Sequence, residues 1–449
     1  MQVPVMVGSA TSMSNSRLPM RPILRRAATG VCGFAATLCV AASSGPGAMA
    51  ECPQRARDLG VPFEGTPGQF NAITDVPGVE VGQITLISGA GALEVGKGPV
   101  RTGVTVVLPR GKRKDAVNAG FFDLNGNGEM TGRAYLEDYG VAYGPIGISN
   151  TNAIGQVYAG IQEWSSRRFG SAIWPVVAET WDGDLNDIEG FHVHAADAIA
   201  AIDRARGGPV AEGDVGGGTG MVCFGFKGGI GTASRVVRVR RHDYVVGVLA
   251  QCNTGLRDVL RIAGAPVGHE FAARWLPCYD PTLAPARKSP VCRADGLDGV
   301  HGRDQGSIII VVVTNAPLSS TQLNRVARRA SMGLARLGSF SGDSSGDLIV
   351  SFSTADGAND PDQTAPVTSA PLANATIDPV FRATVEATEE AITNALVAAK
   401  TMTGANGYTV YGVPHDDLVR ALRKYNRLSH QAASCQRPPP AMSSLPDPK

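Results

Sequence analysis

The sequence predicts an α+β fold built on a largely antiparallel or mixed sheet, and three observations carry that prediction. Ile308, Ile309, Ile310, Val311, Val312 and Val313 form an unbroken β-branched run, the pattern of a strand buried on both faces. Two helices announce themselves by periodicity and end signals. Ser319-Ser320 can cap a segment reaching about Leu337, whose positions Leu323, Val326, Ala330, Leu334 and Leu337 keep helical spacing. Asp378 as cap and Pro379 at the first position open the clearest helix, with a stripe of Phe381, Val385, Thr388, Ile392, Leu396 and Ala399 closed by Gly404. Strands also lie close to one another in the chain, as in the apparent hairpin of 236–240 and 244–251. A doubly wound fold would instead alternate strand with helix.

The remaining elements follow in order. Residues 1–50 read as an export signal: four arginines (Arg17, Arg21, Arg25, Arg26), no acidic residue, an apolar stretch over 27–42, and the small-x-small ending Ala48-Met49-Ala50. The expected location is periplasmic or secreted, and no other stretch is long and apolar enough to span a bilayer. Ile73-Thr74-Asp75-Val76-Pro77-Gly78-Val79 reads as strand, turn, strand, and 103–109 as a buried strand. Two Asn-Gly pairs in 121–129 mark tight turns; the oxygen ligands there alternate too incompletely for a calcium loop. A glycine-broken strand is expected over 144–151 and another strand over 175–183. A short helix over 192–206 carries Ile199 and Ile202 on one face, with His192 and His194 as cap or surface residues at its start. Residues 263–305 hold five prolines and two cysteines and read as a long surface excursion. A last helix is expected over about 415–425.

Composition narrows the function. With 43% hydrophobic and 18% charged residues the chain is globular with a sizeable core. Net charge is +1; removing the signal takes Lys+Arg from 41 to 37 against 40 acidic residues, a net of −3. Neither value suits a nucleic-acid binder relying on counterion release. The glycine-rich 213–234 lacks the Lys-Ser/Thr ending of a phosphate loop and leads into a strand, and 91–98 has Gly98 where Ser or Thr belongs, so no nucleotide is expected. No cysteine pair has CxxC spacing and no His cluster supports a metal, so no cofactor is expected. Six cysteines remain after the signal. Cys278 with Cys292, and Cys52 with Cys435, are pairings an exported protein could form, although spacing alone does not decide them.

One junction carries chemistry. Gly306-Ser307 sits where the excursion enters the β-branched strand, so Ser307 is held at a rigid strand end while Gly306 can take backbone angles closed to other residues. A hydroxyl beside a strained peptide bond is what self-cleavage requires. The serine oxygen attacks the preceding carbonyl, the acyl group shifts from nitrogen to oxygen, and water hydrolyses the ester. Ser307 then becomes a new N-terminus whose α-amine can act as base for its own hydroxyl. The same pattern also fits a plain turn opening a core strand.

The segments Asn71-Ala72-Ile73-Thr74-Asp75-Val76-Pro77-Gly78-Val79, 145–151 (PIGISNT), 178–187 (AETWDGDLND), 224–235 (FGFKGGIGTASR), 247–253 (GVLAQCN), Gly306-Ser307-Ile308-Ile309 and 387–404 resemble, in order, the DmpA/BapA family of self-cleaving N-terminal-serine aminopeptidases. The resemblance covers about 70–425. It implies a four-layer αββα sandwich of the DmpA/ornithine acetyltransferase type, and cleavage between Gly306 and Ser307 into an α chain (51–306) and a β chain (307–449), with 263–305 as a surface insertion. It implies self-association into a homo-oligomer, and short peptides, amides or esters as substrates, β- or D-residues included in the range to test. Ser307 is implied as nucleophile and Asn253 as oxyanion donor. Ser345 would steady the Ser307 amine or relay its proton, and Asp347 would hold the substrate's ammonium; Ser341-Gly342-Asp343 offers a second register for this pair. The family's catalytic tyrosine, placed near 180–184, has no counterpart: Trp181 and Asp184 stand there. Two other expectations stay in play, a related acyltransferase and a non-catalytic exported binding protein of the same fold.

Overall fold

The structure is a computed structural model and describes residues 55–271, 274–283, 291–292, 306–355 and 370–429. The export segment, Cys52 and Cys435, and residues 272–273, 284–290 and 293–305 of the excursion lie outside the described residues. In chain order the elements are β1 (Glu80–Ser88), β2 (Val100–Leu108), β3 (Ala116–Gly126), α1 (Arg133–Tyr139), β4 (Val141–Tyr143), β5 (Ile146–Asn150), α2 (Ile154–Phe169) and β6 (Val176–Thr180). There follow α3 (Ala195–Arg204), β7 (Val222–Cys223), β8 (Phe226–Lys227), β9 (Gly229–Val239), β10 (His242–Asn253) and α4 (Val267–Glu270). The last group is β11 (Ser307–Thr314), α5 (Ser320–Arg336), β12 (Gly346–Ser353), α6 (Asp378–Ala398), β13 (Met402–Thr403), β14 (Thr409–Val410) and α7 (His415–Lys424).

Two sheets dominate. One runs β1-β2-β5-β6, the other β4-β3-β12-β11-β10-β9. Both are mixed: β5 pairs with β6 and β11 with β12 in parallel, and their other pairings are antiparallel. The period-2 alternation of strands explains the layering. On β11, Ile309, Val311 and Val313 meet Val107, Ile146, Ile148 and Ala178 of the smaller sheet in one core between the sheets. Ile308, Ile310 and Val312 point the other way, into a core with Leu323 and Val326 of α5 and Ala391 and Ile392 of α6. Val104, Val106 and Leu108 on the outer face of β2 pack against α2 and α3 through Val157, Ile161, Ala198 and Ile202. The order helix, sheet, sheet, helix is the expected four-layer sandwich, with β11 in its middle and all eight of its residues buried.

Several local expectations hold. The 236–251 hairpin is β9–β10, paired without a bulge from His242 to Cys252. Ser319 caps α5, its Oγ accepting from the Gln322 N–H at 3.3 Å. Others shift. Ile73–Asp75 is a 3-10 turn rather than a strand, because Asp75 accepts from the Phe70 and Ala72 amides and bends the chain. The Asn-Gly pair at 125–126 does not turn: β3 continues through it because β12 pairs Asp347 with Asn125 and Gly346 with Gly126. Asp378 lies inside the first turn of α6 and Ile377 caps it, one residue from the expected position. Cys278 and Cys292, one of the two pairings left open by the spacing, are bonded, and a second disulfide joins Cys223 to Cys252.

Candidate active site

Ser307 opens β11 between two partners. Asn253 of β10 lies opposite it in antiparallel register, and Gly346 of β12 in parallel register. Because Ile309, Val311 and Val313 face between the sheets, Ser307 faces the same way, at the end of that core. The residue is almost wholly buried. The Gly346 N–H is shared by two acceptors, Ser307 Oγ and the Gly306 carbonyl oxygen, each at 3.2 Å. One backbone donor therefore touches both the hydroxyl and the carbonyl of the bond that precedes it.

The reason for glycine at 306 differs from the one the sequence suggested. Gly306 is not in the left-handed region. It is needed for close approach: a Cβ there would lie 1.9 Å from the Asn253 carbonyl oxygen and 2.5 Å from Thr254 Cα. Strand β10 presses against the chain just where the candidate bond sits. Gly346 is similarly confined, with the Asn127 carbonyl oxygen 2.4 Å from its missing Cβ.

Asn253 is held at both ends of its amide. Its Oδ1 accepts from the Val222 N–H at 2.7 Å, which fixes the amide orientation, and its Nδ2 donates to the Trp181 carbonyl at 2.8 Å. Nδ2 has a second hydrogen, and Asn253 shares a face with Ser307 across the strand pair. The neighbouring Cys223–Cys252 disulfide and the Phe224 N–H bond to the Thr254 carbonyl, 2.7 Å, fasten 222–224 to 252–254. Nothing in the cysteine spacing announced that cross-link.

Ser345 and Asp347 flank Gly346. Both are buried, and Ser345 Oγ donates to Asp347 Oδ1 at 2.7 Å. Asn125 Nδ2 donates to the Ser345 carbonyl at 2.5 Å and to the Gly342 carbonyl at 2.8 Å, holding the turn before β12. The alternative register is less suited: Asp343 is exposed and Ser341 only half-buried. The structure thus gathers Ser307, Asn253, Ser345 and Asp347 at one corner.

Sequence reasoning missed two contributors. Thr254 Oγ1 lies 3.1 Å from Ser345 Oγ. Glu179, at the end of β6 in the segment AETWDGDLND, is buried; it accepts from the Thr151 hydroxyl and from the Glu129 N–H at 3.1 Å. A Cβ on Gly128 would sit 3.1 Å from Glu179 Oε1 and 3.3 Å from Gly346 Cα, so one glycine separates this carboxylate from the corner. Burial raises its proton affinity, partly offset by those two hydrogen bonds. An acidic residue three positions before an Asp-Gly pair was the available signal. Where the family tyrosine was expected, Trp181 projects its indole over Gly183 and is 42% exposed.

Two more ionisable groups, Asp182 and Lys227, are fully buried. Asp182 accepts from Asn186 Nδ2 at 3.0 Å, and burial pushes its carboxyl up to about 7. Lys227 donates to the Gly228 carbonyl at 2.8 Å, and burial lowers its amine to about 7. Among the described residues no cluster of three or more His, Cys, Asp or Glu could hold a metal ion, and no helix is long and apolar enough to cross a membrane.

Comparison with known proteins shows what the chain is similar to. Residues 71–410 match the model of Peptidase family S58. The chain is 53% identical over 386 residues to the beta-peptidyl aminopeptidase BapA of Sphingosinicella microcystinivorans, spanning 85% of this chain and 95% of that protein. It is 47% identical to the BapA of Sphingosinicella xenopeptidilytica, spanning 82% and 91%. Among solved structures, the L-aminopeptidase D-Ala-esterase/amidase of Ochrobactrum anthropi, described as a prototype of the serine aminopeptidases and a variant of the Ntn hydrolase fold, superposes with a TM-score of 0.74. It is 41% identical and covers 84% of this chain and all of that one.

Proposed function

The chain belongs to peptidase family S58 and is an aminopeptidase; on that premise we propose that it is exported, cuts itself between Gly306 and Ser307, and uses Ser307 as an N-terminal nucleophile. The observation that carries the reading is the Gly346 N–H, shared by Ser307 Oγ and the Gly306 carbonyl oxygen at 3.2 Å each. When Oγ attacks the Gly306 carbonyl carbon, negative charge grows on an oxygen that already faces a backbone donor. The C–N bond breaks as the nitrogen takes a proton, leaving an ester; water then releases the Gly306 carboxylate and restores the hydroxyl. The products are an α chain, 51–306, and a β chain, 307–449, with a free amine on Ser307.

In the mature enzyme that amine takes the proton from its own Oγ, and Oγ attacks the carbonyl after the substrate's first residue. The second hydrogen on Asn253 Nδ2 is available to the oxyanion. The departing amine collects the proton from the Ser307 ammonium, and water hydrolyses the acyl ester. The substrate's ammonium needs a counter-charge near the nucleophile. Asp347, tied to Ser345, and Glu179, across Gly128, supply it. The names of the two BapA relatives favour β-residues at the substrate N-terminus, in short peptides, amides or esters. Export is supported by the 1–50 segment and by two disulfides in the described chain, since such bonds persist in oxidising compartments. Association of the cleaved protein into a homo-oligomer is part of the same reading.

N-terminal sequencing of the mature protein tests it. Two new termini are expected, one near residue 51 and one at Ser307. Ser307→Ala is expected to remain one chain without peptidase activity and with an unchanged melting temperature. An intact wild-type chain that still hydrolyses peptides overturns the mechanism. Transfer of the acyl group to an added amine in preference to water would make it an acyltransferase instead.

A further inference from the structure

We propose that Thr254 is a positioning residue for the catalytic hydroxyls: its side chain fixes the direction of the Ser345 hydroxyl and so determines what Ser345 offers to the Ser307 amine. The inference rests on the reading of Ser307 as an N-terminal nucleophile. Thr254 follows Asn253, so it sits opposite Gly306 where Asn253 sits opposite Ser307. It is 1% exposed, and its Cα would be 2.5 Å from a Cβ on Gly306. Its backbone is fixed by the Phe224 N–H bond to its carbonyl.

Proton counting gives the direction. A serine hydroxyl has one hydrogen and two lone pairs. Ser345 gives its hydrogen to Asp347 Oδ1. In the 3.1 Å contact between Thr254 Oγ1 and Ser345 Oγ, Thr254 must therefore be the donor. One lone pair of Ser345 is filled and one remains. The next residue, Gly346, reaches Ser307 Oγ with its N–H, so Ser345 borders the nucleophile. The remaining lone pair is the acceptor for an N–H of the Ser307 amine. Thr254 does two things here. It closes the other lone pair, so the amine has a single docking direction. It also draws electron density from the Ser345 oxygen, which weakens that oxygen as a partner for an ammonium more than for a neutral amine. The neutral, basic form of Ser307 is thereby favoured. Thr254, Ser345 and Asp347 exchange no proton during acylation, which moves one proton from Ser307 Oγ to the Ser307 nitrogen.

The test compares Thr254→Val, which keeps the shape and loses the donor, with Thr254→Ser, which keeps it. On the mature, cleaved protein, Thr254→Val is expected to lower kcat about tenfold with KM within about twofold, the size of one lost hydrogen bond acting on a general base. The acid limb of kcat/KM should move to higher pH, because the Ser307 amine holds its proton longer. Thr254→Ser should keep the wild-type limb. Wild-type kcat and pH profile in Thr254→Val overturn the proposal, as does an equal loss in both variants with a lowered melting temperature, which would mean packing alone. If Thr254→Val stays uncleaved, Thr254→Ser decides: normal cleavage and profile support the donor role, and an equal block overturns it. Failure of the underlying reading shows separately, as wild-type protein with no terminus at Ser307.

Discussion

Two buried polar regions of this protein look alike by burial and differ in chemistry. One is the corner of Ser307, Asn253, Thr254, Ser345 and Asp347: hydroxyls, an amide and one carboxylate. The other joins the N-terminal lead-in to β9 and α6. There Glu390 accepts from Arg57 at 2.6 and 2.7 Å, from Arg235 at 2.7 Å and from Asn71 at 2.6 Å, while Arg55 pairs with Glu212 at 2.7 Å. Burial alone would raise the Glu390 carboxyl, but the Arg57 hydrogen bond and the charges of Arg235 and Arg57 hold it below the usual range. In that cluster charges are neutralised by full guanidinium partners, which suits an anchor. The Ser307 corner is instead built mainly from neutral hydroxyls and an amide beside a single carboxylate, which suits the proton movement proposed for it.

The sharpest break in the comparison is a pair of truncations. Asn253→Ala should lower kcat by about 10²–10³, the loss typical of one oxyanion donor, with a small change in melting temperature. Glu390→Ala removes the near partner of Arg235, whose side chain is 1% exposed, and should cost about 3–5 kcal/mol of stability. The fraction of Glu390→Ala that folds should keep near-normal kcat. Steady-state kinetics beside denaturant unfolding checks both; a catalytic defect in folded Glu390→Ala, or a stability collapse in Asn253→Ala, would erase the distinction.

The disulfides extend the contrast at smaller scale. Cys223–Cys252 adjoins Asn253 and Thr254, whereas Cys278–Cys292 staples the excursion. Loops of 29 and 14 residues give similar stabilisation in the chain-entropy account, about 3–4 kcal/mol each. Replacing each pair by serine should therefore lower stability comparably. Only the Cys223/Cys252 double variant should also lower kcat, because the Val222 N–H would no longer fix the Asn253 amide. Equal kinetic effects from both would mean that the first cross-link is merely structural.

How much of this was legible in the sequence follows from what sequence patterns encode. The spine of β11 was, because six β-branched residues in a row have few other places to go. Ser319 was, because capping is decided within three residues. Ser307 does open β11 as the run of apolar residues suggested, but the need for glycine at 306 was read for a different reason, since the crowding comes from Asn253 and Thr254, which reach it only through strand pairing. Glu390 and Arg57 are separated by 333 positions, and no local pattern joins them. Thr254 was invisible for the same reason: its partner Ser345 lies 91 residues away, and a threonine after Asn253 reads as nothing in particular. Tertiary pairing, not propensity, brings these groups together.

The last prediction concerns pH and is expected to leave catalysis least affected. Asp182 follows Trp181, whose carbonyl holds Asn253, yet Asp182 itself is enclosed by Asn186, Thr102 and Asn150. Its folded-state pKa is raised from 3.8 to about 7 by burial. The folded protein thus binds more protons than the unfolded chain between those values. The stabilisation that protonated Asp182 contributes is complete below pH 3.8 and is lost as pH rises to about 7. Glu179 and Glu212, also raised by burial, act in the same sense. Asp182→Asn removes one of the three groups while keeping an acceptor for Asn186. The melting temperature of the wild type should fall relative to Asp182→Asn as pH goes from 4 to 7, and kcat at neutral pH should change by less than about twofold, since the group touches no reacting atom. Thermal melts at matched ionic strength measure the difference. Parallel curves for the two proteins would mean that Asp182 is ionised throughout and belongs, with Glu390, among the neutralised anchors.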